Sequence, residues 1–418
     1  MILSLVLPFA LAATAPAWTL EDCIRIAGER QPLVRAAESS EEIAGAQASQ
    51  SLGSLGPQVG ASGSVFRENS AVGTIASPSA PFTLYSAGIQ GSMPLWDGAR
   101  FYGWREARLT RDAAAQSTRS TRRDNRLDVA TAYYSLDYGR RVAAVRRFIV
   151  EATEKVFANT RALVAAGRQP PIDAVRAEAQ LESSRADLVQ ALLAVDESEH
   201  DLLTAMGVSA DEPHGFAAPP STAAVFSPDL TSYTKLVAEQ DPSLKALQAQ
   251  TRAARSGQQG ALWGHLPNLT ASGGYAWRAR DAAAFSPNWN LGLTLNVPLF
   301  ASGQTEGKAA ERRYAARRAS WLEESALQKA NAASARLLGE IGSARKRLDS
   351  LRRARFAAEA NRNFAEGRYT AGAGSIIEVI DAEILYASVL ISEAAGERDL
   401  WISQAKARAA ADLSLVEK

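Results

Sequence analysis

The sequence has 418 residues, of which 46% are hydrophobic and 22% are charged, and its formal net charge is +1. This is the composition of a folded protein and excludes a disordered chain. The near-zero charge excludes a basic surface of the kind that binds nucleic acid, and a single cysteine, Cys23, excludes an intramolecular disulfide.

The N-terminus has the pattern of an export signal. An apolar stretch is followed by Ala15-Pro16-Ala17, a small-x-small site that suits cleavage before Trp18. We therefore interpret residues 1–17 as a signal peptide, with a buried apolar N-terminal segment as the alternative. No later stretch has the roughly 18 consecutive apolar residues of a membrane-spanning helix, so we expect any spanning elements of the exported chain to be strands.

A first repeat is predicted over residues 18–206. Its order is helix, two strands, long helix and helix, and glycines and prolines such as Gly53, Pro57 and Pro170 mark the boundaries. Residues 207–228, rich in Pro, Ala and Ser, are predicted to be a linker. The predicted elements of the first repeat are Thr19–Leu52, Val59–Asn69, Phe82–Leu95, Ala99–Ala166 and Ile172–Met206.

The same order recurs in a second repeat over residues 229–418. Here too a shorter helix precedes two strands, and a long helix without proline precedes the last helix. The predicted elements of the second repeat are Asp229–Leu262, Leu269–Arg278, Trp289–Phe300, Gln304–Tyr369 and Ser375–Leu415.

Matching residues at constant spacing indicate that the two halves are duplicates. Gln31-Pro32 lies 210 residues before Asp241-Pro242 (241 minus 31). Three further pairs share a spacing of 205 residues (372 minus 167): Gly167 with Gly372, Asp173 with Glu378, and Glu178 with Glu383.

The segment from Trp289 to Phe300 is amphipathic with the period of a strand. Apolar residues at the odd positions alternate with Asn290, Gly292, Thr294 and Asn296. An apolar face opposite a small or polar face is typical of the wall of a membrane pore. Three tryptophans flank the second strand pair and are candidates for an interfacial aromatic belt, with ordinary packing as the alternative: Trp263, Trp277 and Trp289.

Helix lengths predict a cylinder. At 1.5 Å per residue, helices of about 67 residues reach roughly 100 Å and those of about 35 to 40 reach roughly 50–60 Å. Two short helices stacked end to end therefore match one long helix in a wall with heptad-like packing. An isolated coiled coil is the alternative. Four strands cannot close a barrel alone, whereas three chains provide twelve strands around a lumen.

Short motifs follow one another in a characteristic order and spacing from Trp18 to the C-terminus. They are Trp18-Thr19-Leu20, Gln31-Pro32, Met93-Pro94-Leu95-Trp96-Asp97-Gly98, Val297-Pro298-Leu299-Phe300, Tyr369-Thr370-Ala371-Gly372 and Ile377-Glu378-Val379-Ile380-Asp381-Ala382. By the order, spacing and repetition of these motifs the chain resembles the TolC-type outer-membrane efflux proteins. The resemblance implies a mainly α fold with membrane β: an internally duplicated, long-helix α-barrel, and four strands per chain completing a twelve-stranded trimeric β-barrel. It also implies a homotrimer in outer-membrane lipid, extending into the periplasm and docking to a periplasmic adaptor and an inner-membrane pump or ABC exporter.

Carried over by motif position, the resemblance places the pore constriction and the gate. The acidic ring falls on Glu378 and Asp381, which are three residues apart and share one helix face; a solvated helix face is the alternative. The periplasmic gate contact falls on Tyr369 with Asp173. The chain departs from the family pattern at Gly374, where the family example carries an arginine.

The sequence predicts a passive, energy-independent outer-membrane duct of a tripartite efflux or secretion system. The alternative is a periplasmic structural or adaptor-like coiled-coil protein whose strands form a soluble domain. The three histidines are scattered without metal-ligand spacing, and the cysteine has no evident partner. We therefore predict no enzymatic activity, no catalytic residue, no metal and no cofactor.

Overall fold

The structure is a computed structural model that describes residues 17–68, 81–212, 214–219, 226–280 and 284–415. Nearly all of the predicted signal peptide lies outside the described residues. Helices dominate, and none of the described helices is long and apolar enough to cross a membrane. The helices are α1 Leu20–Arg30, α2 Pro32–Gly53, α3 Gly98–Ala165, α4 Pro171–Met206, α5 Leu230–Gln240, α6 Pro242–Leu262, α7 Gln304–Thr370 and α8 Ile376–Ala410.

Within the described residues, the four long strands follow the predicted order, and two short strands were not predicted. Their bounds are β1 Ala17–Trp18, β2 Gln58–Glu68, β3 Phe82–Trp96, β4 Gly215–Phe216, β5 Asn268–Arg280 and β6 Ser286–Asn296; the short strands that were not predicted are β1 and β4. The fold is therefore internally duplicated: helical segments, two strands, a long helix and a further helix occur twice in the same order.

The predicted first helix of each repeat is wrong in one respect, because each is two helices. Gln31 separates α1 from α2 with φ −64° and ψ 118°, and Asp241 separates α5 from α6 with φ −57° and ψ 115°. Each of these residues precedes a proline, Pro32 or Pro242. A proline lacks an amide hydrogen and disfavours helical geometry in the preceding residue, so both helices end at equivalent places.

The end of β6 and the predicted linker also differ from the prediction. Strand β6 ends at Asn296, so Val297–Phe300 lies outside it; Pro298 has no amide hydrogen to extend a ladder. The predicted linker holds a short strand, β4, which pairs in parallel with β1, and the Ala217 amide donates to the Trp18 carbonyl at 2.9 Å. This pairing anchors the first described residues.

The chain divides into two compact units, each formed from both repeats. The first unit contains the residues up to Ala36, Arg119–Asp241, and the residues from Lys329 on. Its largest core packs Tyr133, Leu136 and Met206 against Cys23, which is fully buried. A second core surrounds Tyr233, whose hydroxyl donates to the Ala407 carbonyl at 2.8 Å.

The second unit contains Ala37–Thr118 and Pro242–Gln328. It holds a four-stranded antiparallel sheet with the order β2-β3-β5-β6. The central pair, β3 and β5, joins the two repeats, so the sheet requires both halves of the chain. Ion pairing also ties the repeats together in this unit, with Arg312 Nη1 at 2.8 Å from Glu106 Oε1.

Candidate functional site

The register of the sheet places most of its apolar side chains on one face. Directly opposed residues of antiparallel strands lie on the same face. Ile89 pairs with both Ala61 and Tyr275, and Tyr275 pairs with Trp289. The apolar face therefore continues across all four strands. Its most exposed members are Leu291 at 81%, Trp289 at 74% and Val59 at 74%.

The opposite face is small and polar over most of its length, and near one end it also carries Phe66 paired with Leu84. Ser64 and Ser86 face each other across β2 and β3, with their hydroxyl oxygens 2.7 Å apart. Gly274 pairs with Asn290, and a Cβ added to Gly274 would lie 2.9 Å from Asn290 Oδ1, so the glycine leaves room for the amide. Other polar members of this face are Gln58, Ser62, Gln90, Ser92, Ser272, Thr294 and Asn296.

An exposed apolar face of this width indicates contact with lipid or protein, because monomeric soluble proteins rarely expose large contiguous apolar patches. The predicted amphipathic character of β3 and β6 is thus confirmed. Within the described residues, β2 and β6 each pair on one side only and form the two edges of the sheet. Open edges carry unpaired backbone groups that favour pairing with further strands.

Aromatic side chains lie at both ends of the strands. Trp277 pairs with Pro287 close to the β5–β6 connection, and its ring centroid is 4.8 Å from that of Tyr275. At the other end, Trp263 packs edge-on against Trp96 at 5.8 Å. Gly98 makes this approach feasible, because a Cβ there would lie 2.0 Å from the Trp263 ring. The aromatic belt interpretation of these tryptophans stays a prediction.

The two helical hairpins end in the same kind of turn. Gly167 after α3 has φ +70° and Gly372 after α7 has φ +75°, which are left-handed values that glycine adopts without strain. The following amides reach back to the helix: Arg168 N donates to the Leu163 carbonyl, and Ala373 N donates to the Arg368 carbonyl, both at 2.9 Å. The two hairpin turns are thus structural equivalents.

Tyr369 lies in a small hydrophobic core next to the second turn. Its side chain is 6% exposed, and its hydroxyl oxygen is 3.0 Å from Thr160 Oγ1 on α3. Ile376 and Val379 pack with it in the same small core. Within the described residues of one chain, no hydrogen bond joins Tyr369 to Asp173, so their predicted contact stays a proposal. The Asp173 carboxylate lies 3.9 Å from Arg176 Nη1.

The two predicted constriction residues are exposed on α8. Glu378 Oε2 lies 3.8 Å from Arg368 Nη1, and both side chains are 47% exposed. Asp381 is one turn further along and is also exposed. Arg368 Nη2 additionally donates to the Ala373 carbonyl at 2.9 Å. Gly374 fits beneath this arginine, because a Cβ there would lie 3.1 Å from Arg368 Cβ.

Sequence reasoning missed Thr160 and Glu383. Thr160 is fully buried in the middle of a long helix, and no sequence signal marks it as the partner of Tyr369. Glu383 was noted as the repeat equivalent of Glu178, but only Glu383 is buried, at 7% exposed. Among the described residues, no group of three or more His, Cys, Asp and Glu side chains is placed to hold a metal ion.

Residues 23–208 and 234–411 match the family described as "Outer membrane efflux protein". The chain belongs to this family. The two matched stretches follow the duplication of the fold, and a search of curated proteins finds no match.

Solved structures of outer-membrane channels share the fold. The Campylobacter jejuni CmeC channel is 16% identical, with a TM-score of 0.86 over 96% of this chain and 87% of that one. The Vibrio cholerae outer membrane protein VceC is 17% identical, with a TM-score of 0.85 over 95% of this chain and 97% of that one. The Neisseria gonorrhoeae MtrE channel, described in its open state, is 19% identical, with a TM-score of 0.81 over 95% and 89%.

Family membership confirms the predicted function. The protein is an outer membrane efflux channel protein of the TolC type, and its duplicated, mostly helical fold is that of the structures it resembles. The alternative of a periplasmic coiled-coil adaptor is not favoured, because the apolar face of the sheet is continuous and exposed. The family consists of channel proteins rather than enzymes.

Proposed function

We propose that three copies of the chain form a passive duct, in which twelve strands close a barrel in the outer membrane and the helices form a periplasmic tunnel. The observation that carries this proposal is the four-stranded sheet with one exposed apolar face and two open edges. In lipid each unpaired backbone group costs several kcal/mol, so the edges must pair with strands of neighbouring copies. Two copies provide eight strands and a filled interior, whereas three provide a lumen.

Cysteine cross-linking of the two sheet edges tests this assembly. Ser62→Cys on β2 is combined in turn with single cysteines at the polar-face positions of β6, from Asn288 to Asn296. A disulfide requires Cβ atoms roughly 3.5–4.5 Å apart. If β2 of one copy pairs with β6 of the next, non-reducing gels show a series of cross-linked bands that ends at the trimer. Each single-cysteine variant stays monomeric on the same gels. A series that ends at the dimer, or no cross-linked band in the whole scan, contradicts the trimer.

The native cysteine does not interfere with this experiment. Cys23 is fully buried, and burial raises the pKa of its thiol to about 12. The thiolate that forms disulfides is therefore scarce at neutral pH.

At the periplasmic end we place the pore constriction at Glu378 and Asp381. Both carboxylates are exposed, and the nearest atom of Arg368 lies 3.8 Å from Glu378, beyond hydrogen-bond distance. In a trimer these residues provide six carboxylates around one axis, an arrangement that concentrates cations. We assign the gate contact to Tyr369 and Asp173, which we expect to meet between neighbouring hairpins.

The duct carries substrate that is delivered by a periplasmic adaptor and an inner-membrane pump or ABC exporter. This part of the proposal is supported by the family and by the long helices, which suit a periplasmic extension. It requires no catalytic group and no cofactor in this chain. The test is to replace the hairpin turns and to measure co-purification with each adaptor encoded beside the gene. We expect co-purification to be lost with every adaptor, and unchanged co-purification contradicts docking at the hairpins.

A further inference from the structure

His214 lies directly before β4, in the first unit, and its side chain is 15% exposed. Its Nδ1 atom is 2.6 Å from the Glu212 carbonyl oxygen, and its Nε2 atom is 2.9 Å from Glu199 Oε1 on α4. A carbonyl oxygen and a carboxylate only accept hydrogen bonds, and a neutral imidazole has a single N–H. Both hydrogen bonds therefore form only when the ring carries a second proton and is an imidazolium ion.

The His214 ring also packs against the two shortest strands. Trp18 of β1 stacks on it, with ring centroids 6.3 Å apart and an angle of 26° between the rings, and the Phe216 ring of β4 is 5.6 Å away. These strands have two residues each, and the backbone adds the hydrogen bond from the Ala217 amide to the Trp18 carbonyl. A strand pair this short is not stable by itself, so it depends on the side chains that pack around it.

Charged groups face this ring from three helices and from its own segment. Glu199 of α4 contacts the ring directly, and Arg140 of α3 contacts the other oxygen of that carboxylate, with Nη2 3.4 Å from Oε2. Arg30 of α1 pairs with the carboxylate of Glu212 at 2.8 Å. Strand β1 contributes no charged side chain, but the predicted cleavage before Trp18 would place an α-amino group in this region.

The pKa of His214 is raised above its ordinary value of 6.5. The main cause is the hydrogen bond to the Glu212 carbonyl, and the Glu199 carboxylate adds to it, against the effects of partial burial and of the Arg140 charge. The folded chain therefore binds this proton more tightly than the unfolded chain. The resulting stabilisation is fully present below the ordinary pKa and is lost as pH rises through the native pKa.

We propose that His214 is a pH-sensitive latch, which as an imidazolium ion holds the β1–β4 pair against α4 and on losing a proton releases it. The neutral ring turns a nitrogen lone pair toward one of the two oxygens, so one hydrogen bond is lost. Trp18 loses a cationic partner at the same time. The change reaches both strands because the ring contacts both. The latch lies within one chain and does not depend on the proposed trimer.

Hydrogen–deuterium exchange of the full-length protein in detergent tests the latch. The reporter is the Ala217 amide, which donates to the Trp18 carbonyl. Its protection factor, the intrinsic exchange rate divided by the measured rate at the same pH, is followed from about pH 5 to about pH 9. We expect the protection factor to fall about tenfold as pH rises, because a hydrogen bond of a charged group is lost. His214→Gln should show no such step.

Two further variants complete the experiment. His200→Gln is the matched control and should retain the step, because His200 follows Glu199 on α4 but is exposed. Glu199→Gln should move the midpoint to lower pH, because its amide carries no charge and can donate to the neutral ring. This variant decides the matter if circular dichroism shows that His214→Gln is unfolded.

Four results would overturn the proposal. The first is a constant protection factor in the unaltered protein. The second is an equal step in His214→Gln, which would then belong to another group, such as the α-amino group. The others are loss of the step in His200→Gln and an unchanged midpoint in Glu199→Gln.

Discussion

Tyr369→Phe should loosen the second hairpin. The substitution keeps the ring among Ile376 and Val379 and removes only the hydroxyl that lies 3.0 Å from Thr160 Oγ1. A hydrogen bond of this kind contributes about 0.5–1.5 kcal/mol. If three copies act together in the proposed trimer, about 1 kcal/mol in each gives about 3 kcal/mol, roughly a hundredfold change in the ratio of closed to open channels.

A double-mutant cycle isolates this contact. Thr160→Val leaves the Tyr369 hydroxyl without its partner, so it should have an effect similar to that of Tyr369→Phe. Removing both hydroxyls leaves no unpaired buried group, so the double variant should change the equilibrium by less than the sum of the single variants. The measurement is the open fraction in single-channel recordings in planar bilayers, with trimer yield recorded in parallel.

Thr370→Val is the matched control. Thr370 lies at the end of the same helix, but its hydroxyl donates only to the Glu366 and Gly367 carbonyls of its own helix, at 3.1 and 2.9 Å. It should leave the open fraction unchanged. An open fraction in Tyr369→Phe equal to that of the unaltered channel would refute the reasoning. So would strictly additive effects, because the two hydroxyls would then act independently.

Three other predictions concern the sheet, the constriction and the buried carboxylate. Leu291→Arg on the apolar face should cost about 2–4 kcal/mol near the bilayer midplane and reduce outer-membrane insertion, whereas Asn290→Arg on the polar face should insert normally; equal insertion contradicts the assigned faces. Glu378→Ala with Asp381→Ala should reduce block by multivalent cations, and undiminished block places the constriction elsewhere. Because burial raises the pKa of Glu383, the native chain binds its proton more tightly than the unfolded chain, so ionisation lowers stability as pH rises through the native pKa. Glu383→Gln should therefore raise Tm at neutral pH and lose this advantage below about pH 4; a constant advantage contradicts a buried, ionising carboxyl group.

Much of the fold follows from local patterns. The alternation from Trp289 onward predicts an amphipathic strand because successive side chains of a strand point to opposite faces. The absence of proline between Gln304 and Tyr369 predicts a helix that the structure extends by one residue, to Thr370. The helix breaks before Pro32 and Pro242 also have a local cause, the proline itself. The helical pattern on both sides of each proline nevertheless led to the prediction of a single helix.

The sequence by itself determined which segments are helices and strands, the duplication, and the apolar face of β6, because these depend on neighbours in the chain. Only the tertiary structure decided the pairing of β3 with β5 and the contact of Tyr369 with Thr160, which lies 209 residues away. The same is true of Glu178 and Glu383. They occupy equivalent positions in the two repeats, yet only Glu383 is covered by neighbouring helices, because burial depends on which segments pack against a side chain and not on its local sequence.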